Sequence, residues 1–388
     1  VDNIALLRSV SILMPLSPIS PVEAVRTSRP VAREDVMAIE AYVPGKAKAQ
    51  TAAKIYKLSS NETPLGPSLQ AVEAFTGAAR TLATYPEGSA RILREALSHR
   101  WQINPEQIIC GAGSDELLSL IAYAFLSVGD EGIITEHGFL VYKIAIQAAG
   151  GVPVIVPETN FTADVDTILA HVTSRTKIVY LANPNNPTGT YLPPHDVVRL
   201  HQGLPPHVIL VLDGAYAEYV EGEEGASLAL AQMHHNVVIS RTFSKVYGLA
   251  AARLGWMYGS PDIIDAMNRI RGPFNVSTAA MLAGVAALQD REHLEKAVAH
   301  NRHWREWLTL QLRALGLAVT ASQANFILIH FPQETGRTAV DADAFLSERG
   351  LILRRVDAYG LPHCLRLSVG SAEANEAVVS ALRDFVIR

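Results

Sequence analysis

The chain has 388 residues, 49% of them apolar and 18% charged, with a formal charge of −5. That length accommodates two or three domains, and the low charged fraction implies extensive burial, part of it in an oligomer. An acidic balance with no basic block excludes nucleic acid and anionic membranes as expected partners, and no apolar run is long enough to span a bilayer.

The start, VDNIALLRSVSILMPLSPISP, is checked as a signal peptide. Its apolar stretch is interrupted by Arg8, preceded by Asp2 and followed by Pro15, Pro18 and Pro21. It reads instead as a leader or arm over residues 1–40, poorly ordered or extended. Residues 41–76 are expected to pack with a smaller carboxy-terminal domain, and residues 77–290 to form a large domain.

From Gln107 short apolar runs alternate with helical patterns. QIIC (107–110), EGIIT (131–135), VPVIVP (152–157), KIVYLA (177–182), VILVLD (208–213) and VVISRT (237–242) read as strands. Asp115 to Phe125 and Val141 to Ala149 read as helices between them. Continuously apolar strands separated by helices predict an α/β fold, a mainly parallel sheet covered on both faces. Ligands gather at the carboxyl ends of such strands.

After Pro273 long helices are expected over Thr278–Gln289 and Glu292–Leu315. Strands follow at 324–331, 351–356 and 364–369, with a helix near Ala342–Arg349 and a final helix. This reads as a smaller α/β domain over residues 291–388. Two cysteines, Cys110 and Cys364, cannot form a disulfide framework and suit a reducing, cytoplasmic setting.

Several segments at strand ends carry chemistry. Gly111-Ala112-Gly113-Ser114-Asp115 follows a strand and opens a helix, which makes an anion seat of its backbone N–H groups. A dinucleotide fingerprint needs glycine where Glu116 stands, and a plain glycine turn fits equally well. Asn183-Pro184-Asn185-Asn186-Pro187-Thr188-Gly189 has two Asn-Pro steps that hold a non-helical loop, from which Asn186 can present its amide. Asp213 ends a buried strand and needs a cationic partner, such as a protonated ring nitrogen; it could instead cap a helix. Lys245, with Ser244 beside it and Arg253 eight positions on, suits an aldehyde cofactor bearing a phosphate. Tyr85-Pro86-Glu87-Gly88-Ser89 is a turn and cap by default. Arg354 and Arg366 interrupt apolar strands, as a guanidinium does when it binds a carboxylate or phosphate, although surface strands carry arginines too. His234, His235, His300 and His303 lack a carboxylate-rich set, so no metal is expected.

Taken in order, KLSSNETPLGPS (57–68), TYPEGSARILREAL (84–97), GAGSDELL (111–118), NPNNPTG (183–189), DGAY (213–216), RTFSKVYGLAAARLGW (241–256), GPFNVS (272–277), SQANF (322–326) and LRLSVG (365–370) resemble the fold-type I pyridoxal-phosphate aminotransferases. The resemblance is closest to the histidinol-phosphate aminotransferase branch and runs from about Tyr42 onward. It implies pyridoxal 5′-phosphate as cofactor, a small-molecule amino donor and a 2-oxo acid as substrates, and a large domain with a seven-stranded-type sheet plus a smaller domain. Lys245 would carry the cofactor and move the proton at the substrate Cα. Asp213 would pair with the ring nitrogen, and Tyr216 and Asn186 with the ring hydroxyl. Ser244, Arg253 and the amides of Gly113, Ser114 and Asp115 would hold the phosphate, and Phe139 would stack on the ring. Tyr85 would reach the phosphate from the other subunit of a homodimer. Arg366 would bind the acidic end of the substrate, with Arg354, Tyr42, Asn61 and Asn325 lining the same pocket.

The chain departs from the family pattern at Gly214, usually Glu, at Phe139, often Tyr, and at NETP in place of NENP. The implied reaction is histidinol phosphate with 2-oxoglutarate, in histidine biosynthesis. An aromatic amino-acid aminotransferase and a threonine-phosphate decarboxylase on the same scaffold are the alternatives. A non-enzymatic regulator would need an added DNA-binding module.

Overall fold

The structure is a computed structural model that describes residues 32–43 and 54–387. The expectation of a leader therefore lies largely outside the described residues. Within residues 32–43, a short helix at Glu34–Met37 is tethered by Arg33, whose Nη2 donates to the Ala148 carbonyl at 3.3 Å.

The central sheet has seven strands: β1 (Ile108–Gly111), β2 (Glu131–Thr135), β3 (Val152–Val156), β4 (Thr176–Ala182), β5 (Ile209–Asp213), β6 (Val237–Thr242) and β7 (Gly255–Tyr258). Their spatial order is β1-β7-β6-β5-β4-β2-β3. Only β7 runs antiparallel to its neighbours. The expected strands appear within a residue or two of their expected limits. Strand β7 was not expected, because its first two residues close a motif legible for its lysine and arginine rather than for periodicity. It enters the sheet with Gly255, where a Cβ would run into the backbone of Ser114.

Each strand sends alternate side chains to opposite faces. Leu210, Leu212, Val237 and Ile239 join the core that includes Leu93, Leu97 and Phe243. Ile209, Val211 and Val238 join the other, with Leu117, Ile121, Tyr142 and Ile146 from the helices Ser114–Phe125 and Leu140–Ala148. Both faces are thus covered, which is why the strands lack polar alternation.

The carboxy-terminal region forms a four-stranded antiparallel sheet from β8 (Ala318–Val319), β9 (Phe326–His330), β10 (Arg354–Val356) and β11 (Leu361–Ser368), in the order β8-β9-β11-β10. The single strand expected at 351–356 is divided. Leu351–Ile352 pairs in parallel with Tyr56–Lys57, while Arg354–Val356 pairs with β11. Leu58 consequently sits in the small-domain core. The helix Leu69–Gly77 packs instead against Thr278–Gln289, and its Ala71 belongs to the large-domain core. The long helix Arg291–Ala314 leads from one region to the other.

Candidate active site

The carboxyl ends of β4, β5 and β6 lie side by side, with Ala182 opposite Asp213 and Asp213 opposite Ser240. Gly255 of β7 lies opposite both Thr242 and Gly111. This register gathers the loops at 111–115, 183–189, 213–216 and 242–245 around a cavity of about 280 Å³. Its lining includes Tyr42, Asn61, Ser114, Asp115, Phe139, Asn186, Asp213, Tyr216, Ser244, Lys245, Arg253, Arg354 and Arg366.

At one end is an anion seat. Gly113 has φ +89°, and a Cβ there would lie 2.5 Å from Arg253 Nη2, so the loop requires glycine to let the guanidinium approach. Arg253 Nη1 donates to Ser244 Oγ at 3.4 Å, and Nη2 reaches Asp115 at 3.5 Å. The helix Ser114–Phe125 starts here with its free N–H groups. Glu116, which breaks the dinucleotide pattern, accepts from Ala112 N at 2.5 Å and from Asn275 Nδ2 at 2.8 Å, and so fastens this loop from behind.

Lys245 Nζ donates to the Ser60 carbonyl at 3.2 Å and lies 5.7 Å from the Tyr216 ring centroid. Burial, then the positive charge of Arg366, lowers its pKa to about 8. A turn closed by Gly248 N to Lys245 O presents it. Gly248 has φ +69°, and any Cβ would collide with the Gly66 backbone, so the amino-terminal segment rests directly on the lysine loop.

Asp213 is 5% exposed. It accepts from Tyr142 Oη at 2.7 Å and from Ala215 N at 3.2 Å. Burial raises its pKa to about 6, opposed first by the Tyr142 hydrogen bond. Tyr142 was not singled out from the sequence, where it falls within the helix read over Val141 to Ala149. At Gly214 a Cβ would lie 2.8 Å from Arg241 Nη1 and 3.0 Å from its Cζ. The buried guanidinium of Arg241 thus occupies the space into which the family's usual glutamate would extend.

Tyr216 is buried, and its hydroxyl accepts from Asn61 Nδ2 at 2.9 Å. Burial raises its pKa, with Arg366 and Asn61 opposing, so it stays a donor. Asn61 is held at φ +58° by Ser368 Oγ, which accepts from its N–H at 2.8 Å, and by Asn325, which donates to its carbonyl at 2.8 Å. Asn325 is therefore a support behind Asn61 and is not among the residues lining the cavity.

Arg354 and Arg366 are cross-strand partners on β10 and β11. Arg366 is 5% exposed and donates to Asn186 Oδ1 at 2.5 Å and the Ser59 carbonyl at 2.7 Å. Both are neutral acceptors, and its Nε has none. Arg354 Nη2 donates to the Val43 carbonyl at 2.7 Å, next to Tyr42, which is 47% exposed. Tyr85 lies away from this chain's own cavity, 82% exposed and stacked on Phe274 with centroids 4.7 Å apart.

The pattern of the family described as "Aminotransferase class I and II" matches residues 53–382. The histidinol-phosphate aminotransferase of Nitrobacter winogradskyi is 54% identical over 93% of this chain and 100% of its own length. That of Rhodopseudomonas palustris is 55% identical over 92% and 99%. Among solved structures, the Sinorhizobium meliloti histidinol-phosphate aminotransferase in complex with pyridoxal-5′-phosphate has a TM-score of 0.84 at 26% identity, covering 93% of this chain and 99% of that one. A Thermus thermophilus aspartate aminotransferase shares the fold, with a TM-score of 0.78 at 22% identity, covering 92% and 100%. The chain belongs to the class I and II aminotransferases and, within them, to the histidinol-phosphate aminotransferase family.

The family's cofactor, pyridoxal 5′-phosphate, fits the residues present. A glycine-built cradle faces Arg253, a lysine of lowered pKa stands in the cavity, and a buried carboxylate has only neutral donors. Among the described residues no cation is bonded to that carboxylate, and a protonated ring nitrogen would be a suitable partner.

Proposed function

We infer that the protein is a pyridoxal-phosphate-dependent transaminase that exchanges the amino group of histidinol phosphate with 2-oxoglutarate, in histidine biosynthesis. The observation that carries the substrate reading is Arg366, a buried guanidinium with neutral partners only, beside Arg354 and in the same cavity as Lys245. Two adjacent guanidiniums suit a phosphate monoester dianion, and one bidentate fork also suits the distal carboxylate of glutamate. The names of the relatives above support the same substrate.

When bound, the cofactor supplies an electron sink for the pair left at the substrate Cα. The chain's residues do the rest. Arg253, Ser244 and the N–H groups of Gly113, Ser114 and Asp115 hold the phosphate. Asp213 keeps the ring nitrogen protonated, and Tyr216 and Asn186 donate to the ring hydroxyl. Phe139, which lines the cavity, would pack against the ring. Lys245 would take the proton from the substrate Cα as a neutral amine, and a pKa of about 8 suits that role at neutral pH. Arg366 and Arg354 fix the anionic end so that the Cα–H bond meets Lys245. The protein works as a homodimer, with Tyr85 of each subunit reaching the other's phosphate; its exposure in one chain supports this.

The test is a half-reaction without acceptor, following the cofactor's absorbance. Histidinol phosphate and glutamate should each convert it rapidly, and phenylalanine and threonine phosphate slowly. Rapid conversion by phenylalanine with none by histidinol phosphate would make this an aromatic aminotransferase. Lys245→Ala should abolish turnover while the protein still binds cofactor; wild-type turnover in that variant would remove Lys245 from its role.

A further inference from the structure

Tyr142 lies in the helix Leu140–Ala148, in the wall of the cofactor cavity, and only 1% of it is exposed. Its ring stacks on Tyr180, centroids 4.9 Å apart and planes 10° apart, and meets Phe139 edge-on at 5.7 Å. Tyr180 gives its own hydroxyl to the Leu118 carbonyl at 3.0 Å, so the stacked pair is pinned at both ends. The Tyr142 hydroxyl has one hydrogen-bond partner among the described residues, Asp213 Oδ2 at 2.7 Å. Burying a phenol against a carboxylate is costly unless the bond is made, and a donor to the ionised form favours that form.

We propose that Tyr142 is a positioning residue for transamination: it orients the Asp213 carboxylate and holds it charged, so that the proton between Asp213 and the cofactor stays on the ring nitrogen. Through its edge contact with Phe139, it also ties the residue behind the ring nitrogen to the residue on the ring face. The proposal rests on the reading of Asp213 given above.

The charged and titratable groups around Asp213 leave this role to Tyr142. Asp115, at the start of the neighbouring helix, opposes the charge on Asp213. Arg241, on β6, favours it from a distance, its guanidinium bonded to Ser227 and the Gly214 carbonyl. Among the described residues Tyr216 gives Asp213 no hydrogen bond; its hydroxyl accepts from Asn61 Nδ2 at 2.9 Å. Among these groups Tyr142 alone is a direct side-chain donor. Loss of its hydroxyl raises the proton affinity of Asp213 and draws the proton off the ring.

The test uses holoenzyme carrying pyridoxal phosphate labelled with ¹⁵N in the ring, prepared as wild type, Tyr142→Phe and Tyr180→Phe. The ring ¹⁵N resonance is recorded at neutral pH. In Tyr142→Phe it should move toward the value of an unprotonated ring. In Tyr180→Phe, which loses an equally buried hydroxyl from the same stack, it should stay with wild type. Tyr142→Phe should also lower kcat about tenfold with substrate KM within about twofold, and move the acid limb of the kcat profile up by about one pH unit. A Tyr142→Phe resonance coincident with wild type would overturn the proposal, as would equal displacement in both variants, which would mark the stack as merely structural. Because the ring resonance is read without substrate, the outcome is independent of which amino donor the enzyme prefers.

Discussion

At Asp213, function and stability pull in opposite directions. The carboxylate is almost wholly buried, and burial raises its pKa to about 6 from an ordinary value near 4. A raised folded pKa means that Asp213 costs the cofactor-free protein nothing below about pH 4 and its full penalty above about pH 6. Asp213→Asn should therefore stabilise the cofactor-free protein at pH 7.5 by up to about 3 kcal/mol, with the gain vanishing near pH 4. Urea unfolding at the two pH values measures this. With cofactor bound, the same variant should lose at least about a hundredfold in kcat, because nothing then keeps the ring nitrogen protonated. An unchanged rate would remove Asp213 from the mechanism. Arg366 is the matching case on the substrate side. Arg366→Ala should raise KM for glutamate and histidinol phosphate by about 10²-fold or more, the usual range for a buried charge-assisted pair.

At the scale of elements, the site is assembled by close approach of backbones. The segment around Gly66 lies against Gly248, and this contact brings the Ser60 carbonyl to Lys245 Nζ. Gly248→Ala combines a positive φ with a backbone collision, and should destabilise by roughly 2–4 kcal/mol, visible as a lowered Tm. It should also weaken cofactor retention, since the lysine loop must shift. How far such features were legible is seen in two strands. The run LILRRV at 351–356 reads as one strand because no turn residue interrupts it; it is divided because its first half pairs with Tyr56–Lys57 and its second with β11, partners remote in sequence. Strand β7, Gly255–Tyr258, opens with a glycine and continues straight from the motif read for Lys245 and Arg253, so it lacks the bounded apolar run by which the equally short β1 was read.

At the scale of the whole molecule, the proposed dimer predicts complementation. Lys245→Ala and Tyr85→Ala chains should each be impaired. Mixed dimers should regain activity, because one of their two sites then combines an intact Lys245 with an intact Tyr85 from the other chain. Activity measured after unfolding and refolding the two variants together, against each refolded alone, reads this directly; no recovery would place Tyr85 outside the partner's site. Among the described residues no helix is long and apolar enough to cross a membrane.

The chain by itself determined the alternation of apolar strands and helices, and hence a parallel sheet with ligands at its carboxyl ends. It also determined the chemical types at those ends, lysine, aspartate, asparagine and glycine loop, and the two arginines set within later apolar strands. These are legible because hydrophobic period, turn composition and strand-end position are local properties. Only the tertiary structure decided that Asn325 stands behind Asn61, that Arg241 takes the space beside Gly214, and that Tyr142 reaches Asp213 across 71 positions. Those relations are set by packing between distant segments. In its own helix, a buried tyrosine that fills a core and one that steers a catalytic carboxylate have the same pattern.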